Sequence, residues 1–303
     1  MANTTSQTRL RQIALLVEDL SAAERLLTAV LGTEVIFRDA RVSKWGLKNI
    51  LVSIGGNVIE VLAPTVKDTT AGRLLQKRGD GGYMVIMQTL DASARKEYIQ
   101  TRNLSRVIFD FTEGDAECVQ YHPKGIPGKS RLMEPNLTGH RTQLTLATGG
   151  MMPELDSHKP SSTNPTPLIS PFSPWHACGP DYASYSAAMS RCSHLQLLGA
   201  DCRLEPGDTD TGGAARKWEK IFGVKQNGSG LAFTNSRLHF SEGAARKPEG
   251  LQSITVGVRG RKAYEQLLAR ARKEHVYRDG GVDMLGVKWY FVPLEGDERE
   301  SRL

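Results

Sequence analysis

The chain has 303 residues, 39% of them hydrophobic and 24% charged, a globular composition with room for two cores of ordinary size. No apolar run approaches the ~20 residues a membrane helix needs, and the opening MANTTSQTRLRQ lacks the apolar stretch of a secretion signal, so a cytoplasmic protein with no membrane partner is expected. The net charge of +6 is dispersed over stretches such as RVSKWGLK and KEYIQTR, where basic and apolar positions alternate; that pattern reads as solvated faces and gives no nucleic-acid surface.

The first strand is read at residues 12–19 (QIALLVED). Ser21 and Glu24 have the spacing of a capping box, and the helix they open runs to about Leu31, where Gly32 can take the left-handed cap. Three short β segments follow, TEVIFRD, KNILVSIG and NVIEVLAP, with Gly55 and Gly56 in the turn between the last two and Pro64 ending the unit. The order is β, α, β, β, β. It returns with a strand at 83–89, a helix at 91–103, and strands in SRVIFDFTE, AECVQYHP and MMPELD. A third pass runs from Ser193 through a helix around 214–221 to SGLAFTN and RLHFSEG. The fourth runs from Gln252 through a helix at 261–274 to VKWYFVPL. A spacing of about 60–80 residues makes each unit half a domain, not a solenoid repeat. Residues 159–190 shift to Pro, Ser, Thr and small side chains and read as a linker, with Trp175 and its tyrosines expected to pack across a domain face. Cys118, Cys178, Cys192 and Cys202 have no CxxC spacing, which speaks for reduced thiols and against a zinc knuckle or disulfide framework.

The repeated order, opening on QIALLVEDL and closing on NVIEVLAP, resembles the vicinal oxygen chelate superfamily, the group of glyoxalase I, methylmalonyl-CoA epimerase, extradiol dioxygenases and bleomycin-resistance proteins. GDGGYMVIMQT and YHPKGIPG…GMMPELDSH resemble its glyoxalase-like branch. The likeness is strong over 9–158 and weaker over 191–294. It implies an α+β chain of four βαβββ modules paired into two glyoxalase-like open barrels. The N-terminal domain would span 9–158 (modules 9–65 and 83–158), followed by the 159–190 linker and a degenerate C-terminal domain at 191–296. Fold alone implies no one reaction.

In that family a metal is held by one residue from the first strand and one from the last strand of each paired unit. The resemblance carries these places onto Gln12, Glu60 and Glu154, with Met84 where the family has histidine. From the residues themselves, Glu60 and Glu154 lie in apolar strands, where an unpaired carboxylate is costly to bury. A divalent cation, an arginine or a proton are all open as the partner. An amide oxygen and two carboxylates suit Mg²⁺, Mn²⁺ or Ca²⁺ and hold Ni²⁺ or Zn²⁺ more weakly, while a methionine is a poor ligand for hard cations. By resemblance Glu154 is the expected general base and Glu60 the firmer ligand. In the second half His194, His239, Ser253 and Tyr290 take the corresponding places, a degenerate duplicate serving packing and substrate shape. His122 reads as a loop residue, the 79–82 GDGG stretch as a connection between units, and Trp45 and Tyr83 as core or pocket wall.

Residues 129–149 interrupt the pattern, and their removal joins GIPG directly to GMMPELD. Gly-Lys-Ser can be encoded with GTAAGT, a donor splice signal, and the segment is a whole number of codons, so a eukaryotic intron read through into protein is expected; a genuine surface insertion is the alternative. The expected function is a metal-assisted isomerase or lyase acting on a small carbonyl-bearing substrate. The alternative is a metal-free small-molecule binding or sequestering protein of the bleomycin-resistance type, which the missing histidines favour; a homodimer stays open.

Overall fold

Strand β1 (Arg9–Leu16) is buried along its whole length and alternates its side chains between two apolar surfaces. It is followed by helix α1 (Leu20–Leu31), whose cap is Asp19, accepting from the backbone N–H groups of Ser21 and Ala22. The expected Ser21–Glu24 capping box does not form: Asp19 already satisfies those amides, and the Glu24 carboxylate pairs with Arg38 at 2.6 Å. Gly32 closes the helix at φ 68°, donating to the Thr28 carbonyl. Strands β2 (Val35–Phe37), β3 (Leu47–Ile54) and β4 (Asn57–Pro64) complete the unit, with a 3-10 turn at Ala40–Trp45. The structure is a computed structural model that describes residues 7–123 and 150–295; the interruption at 129–149 lies outside the described residues.

A short helix that the sequence did not signal, α2 (Thr70–Arg78), links the first two units. At nine residues it carries too few turns for a periodic pattern and is set by its Thr69 cap. The second unit follows as β5 (Gly81–Gln88), α3 (Ala92–Thr101), β6 (Val107–Glu113), β7 (Ala116–Tyr121) and β8 (Met152–His158). Among the described residues one eight-stranded sheet takes the order β2-β3-β4-β1-β5-β8-β7-β6. β1 lies parallel to β4 and antiparallel to β5, and β5 parallel to β8. The two units are therefore related by a local two-fold through the Ile13–Val85 pair.

After α4 (Tyr182–Arg191), the second half repeats the plan. Its elements are β9 (Leu195–Arg203), α5 (Thr211–Phe222), β10 (Lys225–Asn227), β11 (Gly230–Ala232), β12 (Arg237–Ser241), β13 (Gly250–Arg259), α6 (Arg261–Lys273), β14 (Tyr277–Arg278), β15 (Gly281–Met284) and β16 (Val287–Leu294). The sheet order is β10-β11-β12-β9-β13-β16-β15-β14. One buried cluster runs through both halves, from Ile13, Leu15, Leu27 and Val85 to Leu197, Val256 and Trp289. Arginines tie the halves at helix ends: Arg270 donates to the Val30 carbonyl at 3.0 Å, and Arg95 to those of Ile221 and Lys220, both at 2.7 Å. These are the carbonyls a helix leaves unpaired at its C-terminus.

The other face of the first sheet, with Ala14, Leu16, Val58, Leu62, Met84 and Ile86, is covered by Trp175, Cys178, Tyr185 and Met189. Those residues come from 159–190 and the end of α4. The segment read as a linker is thus a folded cover, with a 3-10 turn at His176–Cys178 and Trp175 only 1% exposed. Arg9 and Arg11 donate to the carbonyls of Ser170, Pro171 and Ser173, and Gln88 to that of Pro167. Trp175 and Tyr185 pack on the sheet as the sequence led us to expect, whereas the arginine and glutamine side chains that hold the cover are distant in sequence and leave no local signal.

Gly56 shows how close the cover lies. A Cβ there would meet the Pro171 carbonyl oxygen at 2.0 Å and the Arg9 guanidinium at 2.8 Å. Gly56→Ala is expected to lower stability by about 1–3 kcal/mol, as overpacking does, and to make residues 165–175 easier to cleave by protease. Unchanged urea midpoint and cleavage rate would show that the cover does not depend on this contact.

Candidate active site

The four central strands of the first sheet carry the sequence-derived candidates. Gln12 on β1, Glu60 on β4, Met84 on β5 and Glu154 on β8 all line one cavity of about 550 Å³. Glu60 stands opposite Ala14 and Glu154 opposite Ile86, each one residue beyond the two-fold pair, so the two glutamates are symmetry mates. Trp45, Tyr83, Phe109 and Phe111 supply the aromatic wall.

Each glutamate is buried and held by neutral amides. Glu60 accepts from Gln12 Nε2 at 2.8 Å and Asn49 Nδ2 at 2.7 Å. Burial pushes its carboxyl up to about 7 against the pull of those amides, and the nearby Glu154 charge adds to the rise. Glu154 accepts from Gln120 Nε2 at 2.6 Å. Burial and then Asp156 push it up to about 8, with His176 and Gln120 pulling the other way. Asp156, two residues along β8 and hence on the same face, is fully buried; burial raises it to about 7. Its Oδ2 is 2.8 Å from His176 Nε2, while Oδ1 has no partner among the described residues. Burial lowers His176, and burial followed by the neighbouring His176 lowers His158.

The orientation of Gln12 is decided from outside the sheet. Trp175 Nε1 donates to Gln12 Oε1 at 2.8 Å. An indole only donates, so the amide must turn its oxygen to Trp175 and its nitrogen to Glu60. A cation between Gln12 and Glu60 would require that amide to turn over and give up both bonds. A different donor set is more open. The Cys118 thiol and the Glu154 and Asp156 carboxyls bring one donor atom each within 4.8 Å of one another, and Asp156 Oδ1 has no hydrogen-bond partner among the described residues. This thiol–carboxylate set fits a divalent cation with affinity for sulfur, such as Zn²⁺.

Sequence reading missed Asn49, Cys118, Gln120, Asp156, Trp175 and His176. Asp156 and Cys118 were within reach, since period-two alternation puts them beside Glu154 and Gln120 on β8 and β7. Trp175 and His176 were not, because nothing local ties residue 175 to residue 12. In the second half, register corrects one assignment. Gly199 faces Thr255 as Gln12 faces Ile86, so Gly199, and not His194, takes the first-strand place. His239, Ser253 and Tyr290 occupy the other three, on a face where His239 and Tyr290 are exposed.

The raised carboxyls set a sign for stability against pH. Between their ordinary values near ~4 and about 7–8, the folded chain keeps protons that the unfolded chain has released, so stability falls as pH rises. The lowered histidines act oppositely, but only below their ordinary value near ~6.5. Arg9, held down to about 8, opposes only above that. The melting temperature is therefore expected to drop between pH 6.5 and 8, and to drop less in Glu154→Gln. A flat profile in both proteins would contradict the buried-acid account.

No helix among the described residues is long and apolar enough to cross a membrane. No family model matches the chain, and no curated protein does either. Among solved structures, a hypothetical protein from Staphylococcus aureus aligns over 95% of this chain and 100% of its own, with a TM-score of 0.53 and 12% identity. Methylmalonyl-CoA epimerase from Streptomyces coelicolor, in complex with 2-nitronate-propionyl-CoA, matches 50% of this chain and 99% of its own at 22% identity and a TM-score of 0.39. The Mycobacterium tuberculosis methylmalonyl-CoA epimerase matches 53% and 93% at 18% identity and the same TM-score. At these identities the likeness is one of fold.

Proposed function

We propose, from the paired βαβββ units in both halves and their resemblance to the vicinal oxygen chelate fold, that the first half is an isomerase-type enzyme moving a proton on a small carbonyl-bearing substrate. The observation that carries this reading is the pair of symmetry-related, buried carboxyls sharing one cavity, Glu60 and Glu154, with proton affinities raised to about 7 and about 8.

Groups tuned to those values divide acid and base work near neutral pH; the singly protonated pair carries its proton more on Glu154 than on Glu60, so the direction described next starts from the less populated state and its reverse from the more populated one. Glu154, when ionised, takes the proton from the carbon beside the carbonyl. The C–H electron pair becomes the C=C of an enolate, and negative charge passes to the carbonyl oxygen. Glu60, when protonated, returns a proton to that carbon from the opposite side of the local two-fold and leaves as carboxylate. Asn49, Gln12 and Gln120 hold the two carboxyls in place, Trp175 fixes Gln12, and His176 and Ala177 of the cover form part of the cavity wall. A divalent cation held by Cys118, Glu154 and Asp156 would supply Lewis-acid polarisation of the carbonyl.

The test is to incubate the protein in D₂O with a panel of small thioesters, 2-oxoacids and hydroxyketones, following deuterium at the adjacent carbon by NMR. Catalysed exchange with any class supports the reading. A panel member that binds in the cavity without exchange favours the second reading, a metal-free binding protein, for which Met84 in the place of a family histidine is the specific support.

A further inference from the structure

We infer that a second cavity, remote from the paired glutamates, binds a small organic oxyanion on the guanidinium of Arg9. This cavity of about 500 Å³ opens where the β3–β4 turn, residues 168–172 and the start of β9 meet. Arg9 lines it and is 5% exposed. Its guanidinium donates to the carbonyls of Ser170 at 3.0 Å, Gly56 at 2.8 Å and Pro171 at 2.9 Å. Of the five N–H groups on the guanidinium, the three carbonyls take three, and the Nε–H is buried without a partner among the described residues.

Arg11, two residues along the same strand, is fully buried and lies over the Trp175 ring; among the described residues its hydrogen bonds go to the Pro171 and Ser173 carbonyls and its Nε–H has no partner. Among the described residues neither guanidinium is hydrogen-bonded or ion-paired to a carboxylate, its partners being backbone carbonyls, and Arg11 adds like charge beside Arg9. Carbonyl oxygens answer the hydrogen-bonding needs of two buried cations but leave their charge uncompensated, and an unpaired buried charge is costly. An oxyanion in the cavity would supply that missing charge and accept a charge-assisted hydrogen bond from the one Nη1–H that the three carbonyls leave free. The wall beside it is apolar: Leu168, Phe172 and Ile169, the last 71% exposed. Those surfaces suit an anionic head on a short hydrocarbon.

Two probes separate the sources of such an anion: inorganic phosphate, and butyrate, each titrated calorimetrically into the full chain at constant ionic strength. Saturable binding of either is expected, with phosphate the tighter if the natural ligand is a phosphate ester and butyrate the tighter if it is a carboxylate. Arg9→Gln is expected to weaken it by about 10- to 100-fold, the worth of a hydrogen bond to a charged group, while Arg237→Gln, an exposed arginine on β12, leaves it unchanged. Equal affinity in Arg9→Gln, or no saturable binding of either probe, would overturn the site. Should Arg9→Gln fail to fold, Ile169→Asp puts a carboxylate on the exposed wall of the same cavity and is expected to weaken both probes at least about 10-fold, a like-charge effect on the scale of a charged hydrogen bond; unchanged affinity for both probes in that variant overturns it equally.

Discussion

Glu154→Gln is expected to slow deuterium exchange at the carbon beside a substrate carbonyl by about 10²–10⁴-fold, the usual worth of a positioned general base, while the fold stands. Glutamine has nearly the volume of glutamate, and its amide oxygen can still accept from Gln120, which sits 2.6 Å from the carboxylate. What it cannot do is take a proton. A packing role predicts little change in rate, and a binding protein predicts only a modest loss of affinity. Glu60→Gln sharpens the comparison. The mate that returns the proton should slow isomerisation but spare exchange, because solvent deuterium can still reach the carbon through Glu154. Equal exchange rates in Glu154→Gln and wild type would remove Glu154 from the chemistry.

The second large effect is at Trp175. It is 1% exposed, packs 5.3 Å from the Arg11 guanidinium and 4.9 Å from His176, and its indole fixes Gln12. Trp175→Ala removes one of the largest buried side chains and is expected to lower stability by about 3–5 kcal/mol. Trp175→Phe keeps most of the packing and removes the N–H. Its expected cost is about 1–3 kcal/mol, because Gln12 Oε1 is left buried without a donor. Urea denaturation measures both. The phenylalanine variant also addresses the metal. With no indole to hold it, the Gln12 amide is free to turn its oxygen toward Glu60. Increased Mn²⁺ uptake in Trp175→Phe would then place a cation at Gln12 and Glu60, whereas retention of Zn²⁺ that is lost in Cys118→Ser would place it at the Cys118 cluster. If Trp175→Ala unfolds at the wild-type urea concentration, the cover is not part of the folded core.

Strand β4 illustrates how far local pattern reaches. NVIEVLAP is apolar, bounded by a glycine turn and a proline, and those features delimit it as Asn57–Pro64 without any neighbour. The same holds for α1 with its Gly32 cap and for the four-fold return of the βαβββ order, so the α+β plan of paired open sheets was readable from the chain alone. Period-two alternation also put Glu60 and Glu154 on strand positions that matter, since a carboxylate amid Val, Ile and Leu demands a partner.

Which partner it found was not in the local sequence. The Asp19 cap displaced the Ser21–Glu24 box because competition for the same amides is settled by geometry, not by spacing. Gly199 displaced His194 because the place is set by pairing with β12 and β13, which falls five residues further along, while His194 lies before β9 begins. The environment of the pair came from residues far along the chain: Asn49 from β3, Gln120 from β7, and Trp175 and His176 from a proline-rich run whose composition reads as a linker. Strand and helix periodicities are set by short-range sterics and by the demand to bury apolar faces, and these the sequence determined by itself. The orientation of the Gln12 amide, the proton affinities of the two glutamates and the pair of arginines buried against backbone carbonyls are long-range effects of desolvation and hydrogen bonding, and only the tertiary structure could decide them.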